Sequence, residues 1–235
     1  MSPVTVVVPT YNERENLPPL LSGIFSSLPE ARVLIVDDNS PDGTAGLALS
    51  LRSQFPRLSV LRRERKEGLG PAYRHAFAEV LRDPEVETIV MMDADLSHDP
   101  AALPGLIAAR ANADVVVGSR YVPGGKLIGW ESWRRLLSRG GNWYARSITR
   151  LPVADCTGGF NALATRLLRQ LDLRQFSASG YAFQIELKYR LWRAAARFAE
   201  LPITFRNRRT GESKISGHII REAILAPWQM IWSNQ

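Results

Sequence analysis

Thr88-Ile89-Val90-Met91-Met92-Asp93-Ala94-Asp95 is the stretch that decides the fold class of this chain. Its first five residues are β-branched or long and apolar, and read as a buried strand. Two carboxylates, one residue apart, end the run. Side chains alternate along a strand, so Asp93 and Asp95 leave it pointing the same way. Neighbouring carboxylates repel unless a positive charge sits between them, and hard oxygen ligands favour Mg²⁺ or Mn²⁺, which in turn grips a diphosphate. The plainer alternative is a turn in which one Asp caps a helix starting near Pro100. A lone Asp-x-Asp fits that alternative more often, so the surrounding sequence has to decide.

Working outward, four more runs read as strands: Val4 to Val8, Arg32 to Val36, Leu58 to Leu61 and Asp114 to Val117. Helical stretches at about residues 14–27, 42–54, 71–82 and 100–111 separate them. Nearly all-apolar strands alternating with helices predict an α/β fold whose mainly parallel sheet is covered on both faces. Ligands of such sheets bind beyond the carboxyl ends of the strands. Pro9 to Glu13, Asp37 to Ser40 and Asp93 to Asp95 each follow a strand, which brings all three to one rim. The second half is less regular. A turn at Pro123-Gly124-Gly125 leads to an aromatic and basic helix at about 130–149. A Gly-rich turn at Thr157-Gly158-Gly159, a helix at about 181–196, a short strand at Leu201 to Phe205 and an apolar helix from Gly217 follow.

Among 235 residues, 45% are hydrophobic, enough for one globular domain, and no run of about 18 apolar residues predicts a transmembrane helix. The N-terminus runs straight into a strand and reads as lacking a signal peptide. Cys156 is the single cysteine, which excludes an internal disulfide and any multi-cysteine metal site and suits a cytoplasmic setting. The net charge of +7 and the pI of about 10.0 point to a polyanionic partner. Nucleic acid is one candidate, but there is no Cys/His finger or RNA-binding signature. The Gly-x-Gly-x-x-Gly loop is missing after the first strand, which argues against a dinucleotide dehydrogenase. Asn39, Ser40, Asp42 and Gly43 read as turn and cap chemistry.

Taken together, Pro9-Thr10-Tyr11-Asn12-Glu13, Val36-Asp37-Asp38-Asn39-Ser40-Pro41-Asp42-Gly43-Thr44, Gly68-Leu69-Gly70, Met92 to His98, Gly118-Ser119-Arg120-Tyr121 and Gly211-Glu212-Ser213-Lys214 resemble the dolichol-phosphate mannose synthases of glycosyltransferase family 2. The resemblance runs in order from about Val4 to Gly217. It implies a nucleotide-sugar-binding GT-A fold, Rossmann-like in its sheet, and a reaction: inverting transfer of mannose from GDP-mannose to a dolichyl or other polyprenyl phosphate. It also implies a donor site, with Pro9, Tyr11 and Glu13 lining base and ribose beside Ile35 and Asp37. Asp93, Ala94 and Asp95 would meet ribose, metal and diphosphate, with Mg²⁺ or Mn²⁺ on Asp93 and Asp95. Arg208 and Lys214 would close over the diphosphate; Arg206 and Arg209 read as a solvated basic loop. On the acceptor side Arg120, Arg134 and Ser138 would hold the lipid phosphate. Asp95, Arg120, Arg208 and Lys214 are then the catalytic set. Some relatives carry Gln as a further metal ligand where this chain has Ser97. His98 beside it reads either as a ligand or, more simply, as a histidine at the start of a helix.

Arg suits a phosphate because its planar fork binds two oxygens at once. A phosphate monoester ionises a second time near pH ~6, so such an acceptor needs no general base. Asp155 is the one carboxylate left over, and could hold the sugar, orient an arginine or cap the turn.

Five of the six tryptophans fall in two segments. Trp130, Trp133, Leu137 and Tyr144 share a helical stripe beside Arg134, Arg135, Arg139 and Arg146. Ile220, Ile224, Trp228 and Ile231 form a second stripe, interrupted by Pro227. Trp with Arg at this spacing suits a helix lying among lipid headgroups; a core-facing or dimer-forming helix has the same periodicity. The expectation is thus one glycosyltransferase domain over residues 1–235: a nucleotide-binding half (4–118), an acceptor-binding half (119–217) and a C-terminal amphipathic helix (218–235). It would sit peripherally on the cytoplasmic face of a membrane, with recruitment by a membrane protein open. A UDP-glucose-dependent polyprenyl-phosphate glucosyltransferase is the alternative within the class; a basic nucleic-acid-binding α/β protein is the alternative outside it.

Overall fold

The computed structural model describes residues 3–178, 180, 182–207 and 217–232, with 217–224 described by backbone alone. Strands β1 (Val4–Thr10), β2 (Arg32–Asp37), β3 (Leu58–Arg62), β4 (Thr88–Met91) and β5 (Val115–Ser119) follow the five expected runs. The later strands are β6 (Lys126–Ile128), β7 (Asn161–Ala164), β8 (Phe198–Pro202) and β9 (Thr204–Arg206). Seven of them form one sheet in the order β3-β2-β1-β4-β7-β5-β8, and β6 pairs with β9 in a separate ribbon. All pairings in the large sheet are parallel except those of β7, which runs antiparallel to β4 and to β5.

Helices α1 (Leu17–Ser27), α2 (Thr44–Ser50), α3 (Leu69–Val80) and α4 (Leu103–Ala109) connect the early strands, and α5 (Ser132–Thr149), α6 (Thr165–Leu168), α7 (Ala182–Arg193) and α8 (Gly217–Trp232) follow. Because neighbouring strand residues face opposite ways, the apolar runs supply two cores. Val6, Val8, Ile35 and Val90 pack against Leu17, Leu20 and Ile24 of α1 and Leu103 and Leu106 of α4. Val7, Leu34, Val36, Ile89 and Met91 pack against Tyr73 and Phe77 of α3 and Phe183 and Leu187 of α7.

The second half differs from the sequence reading: β6 and the short α6 join the expected elements, and two strands depart from it more sharply. The expected single strand at Leu201 to Phe205 is the end of β8 and the start of β9. Pro202 has no N–H to continue the ladder. Ile203 then donates to Ser119 O (3.0 Å) and accepts from Lys126 N (2.9 Å), handing the chain from one sheet to the other. Strand β7 was not expected at all. Asn161-Ala162-Leu163-Ala164 contains no β-branched residue, and its four residues sit on β4 and β5 through tertiary pairing rather than propensity.

Candidate active site

The carboxyl ends of β1, β2, β4, β5 and β8 lie on one rim of the sheet, and β7, being reversed, brings its beginning there. That reversal delivers the Asp155–Phe160 segment to the rim that carries Tyr11, Asp37, Asp93 and Arg120.

On the β1–β2 side the turns are tied by short-range bonds. Asp37 is 1% exposed, and its carboxylate accepts from Ser40 N (3.0 Å), Ser40 Oγ (2.5 Å) and Thr10 Oγ1 (3.1 Å). Asp42 accepts from Thr44 N and Oγ1 at the start of α2, so this segment has the expected cap chemistry. The backbone N–H groups of Asn12 and Glu13 donate to Ser40 Oγ and Thr44 Oγ1, fastening the β1 turn to the β2 turn. Buried Asp38 pairs with buried Arg63, which pairs also with Glu67 and donates from Nε to His75 Nδ1 at 3.1 Å. This braces the loop whose Lys66 ammonium stands 3.7 Å from the Tyr11 ring centre. Pro9 is half-buried and Ile35 is wholly buried, its side chain packing in the core beneath the rim.

At β4, Asp95 and Ala94 are buried, and the Asp93 side chain keeps 33% of its surface. Asp95 Oδ1 accepts from Ser97 N at 3.1 Å, closing a tight turn around Leu96, whose φ of 61° is a conformation that a non-glycine residue adopts at a cost. Ser97 Oγ is buried and, among the described residues, has no hydrogen-bond partner. His98 does not begin a helix. It is buried, accepts the Asp93 N–H on Nδ1 (3.1 Å), and stacks on Phe160 at 4.8 Å. Burial holds its pKa below the ordinary value despite the nearby Asp93 and Asp95 charges. With Nδ1 accepting, the neutral ring carries its proton on Nε2, 3.9 Å from Asp93 Oδ2, and has no lone pair for a metal in this tautomer.

Arg120 is held by four hydrogen bonds from one side of the rim. Its backbone N–H and Nε donate to Asp155 Oδ2 (3.0 and 2.7 Å), and Nη2 donates to Asp155 Oδ1 (2.6 Å) and Thr157 Oγ1 (2.9 Å). Burial works to raise the Asp155 carboxyl, and the Arg120 charge and hydrogen bonds outweigh it, so the group stays ionised. Of its three expected roles, Asp155 fills that of orienting an arginine. Around it, Glu200 accepts from Ala154 N and Asp155 N, and buried Lys188 donates to Cys156 O (3.2 Å) and Gly158 O (2.7 Å). Arg134 and Ser138 lie one turn apart on α5, on the same face. Tyr121 OH donates to Ser138 Oγ at 2.6 Å, and the Arg134 guanidinium lies 5.0 Å from the Trp130 ring.

Phe205 joins the two sides. It meets the His98 ring (5.4 Å), the Trp130 ring (5.7 Å) and the Arg120 guanidinium (5.4 Å), while Arg206 N donates to Ser97 O. The chain therefore passes the Asp93–Asp95 turn just before Arg208. Arg208 and Lys214 lie outside the described residues. Sequence reasoning missed Phe205, Lys188, Glu200 and Gln184: none belongs to a local motif, and only the antiparallel β7 and the β8-to-β9 crossing bring them in.

The stripe on α5 is split. Asn142, Ala145 and Thr149 face inward, and Trp133, Leu136, Leu137 and Trp143 are exposed. Trp228 Nε1 donates to Tyr144 OH at 2.9 Å, joining α8 to α5, and Leu225, Trp228 and Trp232 are exposed beside Arg-bearing α5. Ile220 and Ile224 belong to the segment described by backbone alone. Among the described residues no helix is long and apolar enough to cross a membrane, and no cluster of three or more His, Cys, Asp or Glu side chains could hold a metal by itself.

A mixed, mostly parallel sheet with a two-carboxylate turn on its nucleotide rim and a locked arginine opposite defines a glycosyltransferase of the GT-A type. The chain belongs to glycosyl transferase family 2, whose model matches residues 5–172. It is 43% identical over 94% of its length to the undecaprenyl-phosphate mannosyltransferase of Micrococcus luteus, covering 91% of that protein. It is 44% identical over 95% of its length to the polyprenol monophosphomannose synthase of Mycolicibacterium smegmatis, covering 85% of that protein. The fold matches glucosyl-3-phosphoglycerate synthase from Mycobacterium tuberculosis, solved with Mn²⁺, UDP-glucose and phosphoglyceric acid, with a TM-score of 0.70 at 18% identity over 97% of this chain and 79% of that one.

Proposed function

We infer that this chain transfers mannose from GDP-mannose to a polyprenyl phosphate of the dolichyl or undecaprenyl kind, with inversion, giving polyprenyl-phosphate mannose for glycoconjugate synthesis. The observation that carries this reading is the bidentate Arg120–Asp155 pair on the same rim as Asp93 and Asp95. Asp155 is committed to that arginine, and Glu200 beside it to the backbone N–H groups of Ala154 and Asp155, so neither is poised as a base. An acceptor phosphate that is already ionised suits such a site. Its oxygen attacks the anomeric carbon, the bond from that carbon to the diphosphate breaks, and the electron pair leaves with GDP. No proton needs to move.

Residues 4–118 would serve the donor and 119–217 the acceptor. Asp93 and Asp95 fit a divalent ion: two hard carboxylates completed by substrate phosphates are typical of Mg²⁺, and the unpaired buried Ser97 hydroxyl is a further oxygen beside them. Bound there, Mg²⁺ or Mn²⁺ supplies positive charge to the departing diphosphate. Arg208 and Lys214 add charge from the chain itself. Arg120, Arg134 and Ser138 hold the acceptor phosphate, Ser138 being oriented by Tyr121. The exposed Trp and Leu side chains of α5 and α8, flanked by Arg135, Arg139 and Arg146, would rest in the headgroup layer on the cytoplasmic face, where the lipid acceptor lies. The relatives above 40% identity are named for mannosyl transfer to a polyprenol phosphate, which favours mannose over glucose as the sugar. Family membership leaves the nucleic-acid alternative without support.

The test is direct. Purified protein is incubated with polyprenyl phosphate, Mg²⁺ and labelled GDP-mannose or UDP-glucose, and label is counted in the organic phase. Transfer from GDP-mannose is expected; transfer from UDP-glucose alone, or from neither, contradicts the reading.

A further inference from the structure

Among the described residues, the buried side-chain amides of Asn161 and Gln184 each keep one atom without a partner, and the Gln184 nitrogen has no place in the scheme above. Gln184, in the first turn of α7, is 1% exposed, and its Nε2 makes no hydrogen bond. Its orientation is fixed by a neighbour. Asn161 Nδ2 donates to Gly158 O (3.0 Å) and to Gln184 Oε1 (3.1 Å). Turning either amide would set N–H against N–H or oxygen against oxygen, so Gln184 must present its oxygen to Asn161 and its amide nitrogen away from it. Asn161 cannot yield, because it is wholly buried between Met91 of β4 and Val117 of β5.

The amide nitrogen has Asp93 for company. A methyl group on Gly159 would stand 3.4 and 3.5 Å from the two Asp93 carboxylate oxygens and 3.6 Å from Gln184 Nε2. Gly159 thus leaves a small space flanked by a group that can only accept and a group that can only donate. A phosphate would be repelled by Asp93. A cation would meet the N–H hydrogens. A hydroxyl does both jobs at once, giving its hydrogen to the carboxylate and taking one from the amide.

The geometry points to Gln184 as a specificity-determining residue that, with Asp93, binds a hydroxyl of the sugar being transferred. This deepens the mannosyl-transfer reading and rests on it. A buried N–H left unpaired is costly, and a site that keeps one is built to reject a ligand that cannot accept it.

The experiment uses GDP, GDP-mannose and four GDP-mannose analogues, each lacking one sugar hydroxyl, on the full chain and on its Gln184→Met and Gly159→Ala variants. Affinity is read by calorimetry and kcat/KM by lipid-phase label. In the unaltered protein one deoxy donor should lose on the order of 10- to 100-fold in kcat/KM, the size of one or two hydrogen bonds. Gln184→Met should lose as much with the complete donor and lose nothing more with that deoxy donor. Gly159→Ala, whose new carbon meets its neighbours at ordinary contact distance, should fill the space and penalise the complete donor more than the deoxy one; it carries the test should Gln184→Met not fold. Affinity for GDP, which has ribose but no transferred sugar, should change less than about twofold. Deoxy penalties that persist unchanged in both variants overturn the assignment. So does a parallel loss of GDP affinity, which would put Gln184 at the ribose or in the scaffold. An unaltered chain that binds GDP but not GDP-mannose would contradict the reaction itself, and the assignment with it.

Discussion

On the proposed donor side of the rim, Asp37 accepts from Ser40, three residues on, and from Thr10 of the adjacent strand, and Asp95 accepts from Ser97, two residues on. On the acceptor side, Arg120 is held by a carboxylate 35 residues further along, and that carboxylate's own loop is held by Glu200 and Lys188. A turn that folds on itself keeps its shape when a distant residue changes. An arginine aimed by a remote carboxylate loses its aim when that carboxylate goes. The donor half should therefore fail where its own ligand atoms are removed, and the acceptor half wherever a supporting contact is broken.

The largest effect expected is at the donor motif. Asp95→Ala, or EDTA added to the unaltered protein, should lower transfer by about 10³-fold or more, because charge on the leaving diphosphate then goes uncompensated. Full activity in excess chelator would remove the metal from the scheme. Next comes the remote support. Asp155→Asn keeps the shape but weakens the grip on Arg120, and should cost on the order of 10- to 100-fold in kcat/KM for the lipid acceptor, the range of one or two charge-assisted hydrogen bonds. Donor affinity should hold. A loss of many orders of magnitude in single-turnover chemistry, with both substrates bound, would instead mark Asp155 as a base. Arg134→Ala comes third: its guanidinium lies over the Trp130 ring just ahead of α5, and a roughly tenfold weaker acceptor interaction with unchanged GDP-mannose affinity is expected. An equal loss on the donor side would move Arg134 across the site.

The same contrast explains what could be read from the sequence. The five parallel strands and the rim motifs were legible because each is a contiguous apolar run followed by its own turn. Asp37, Asp93 and Asp95 are recognisable from their neighbours alone. Strand β7 was not legible, since Asn161-Ala162-Leu163-Ala164 becomes a strand through β4 and β5, and with it went the reason why Asp155 reaches Arg120. His98 looked like the start of a helix because its partners, Phe160 and Phe205, are far away in the chain. The helix stripe was legible as periodicity, yet its direction was set by Asn142, Ala145 and Thr149 turning inward.

The smallest effect sharpens the acceptor side through stability. Burial lowers Lys188 from 10.5 to about 8, so the native state gives up its proton before the unfolded chain does. Between those values the unfolded state binds more protons, and stability should rise with pH across that window. Urea midpoints measured from pH 7 to 10 should show the rise in the unaltered protein and lose it in Lys188→Met. Equal slopes in the two proteins would mean that burial does not lower the Lys188 ammonium as described.

The central claim is that the nucleophile brings its own charge and that Asp155 is an arginine's partner. It is tested most directly by the pH dependence of transfer with two acceptors, a polyprenyl phosphate and its phosphonate analogue, whose second ionisation lies higher. The rate should rise through about pH 6 with the phosphate and then level off, and the midpoint should move upward with the phosphonate by the difference between the two acceptors' own pKa values. A midpoint that stays fixed when the acceptor changes would belong to a group of the protein, and would contradict the account.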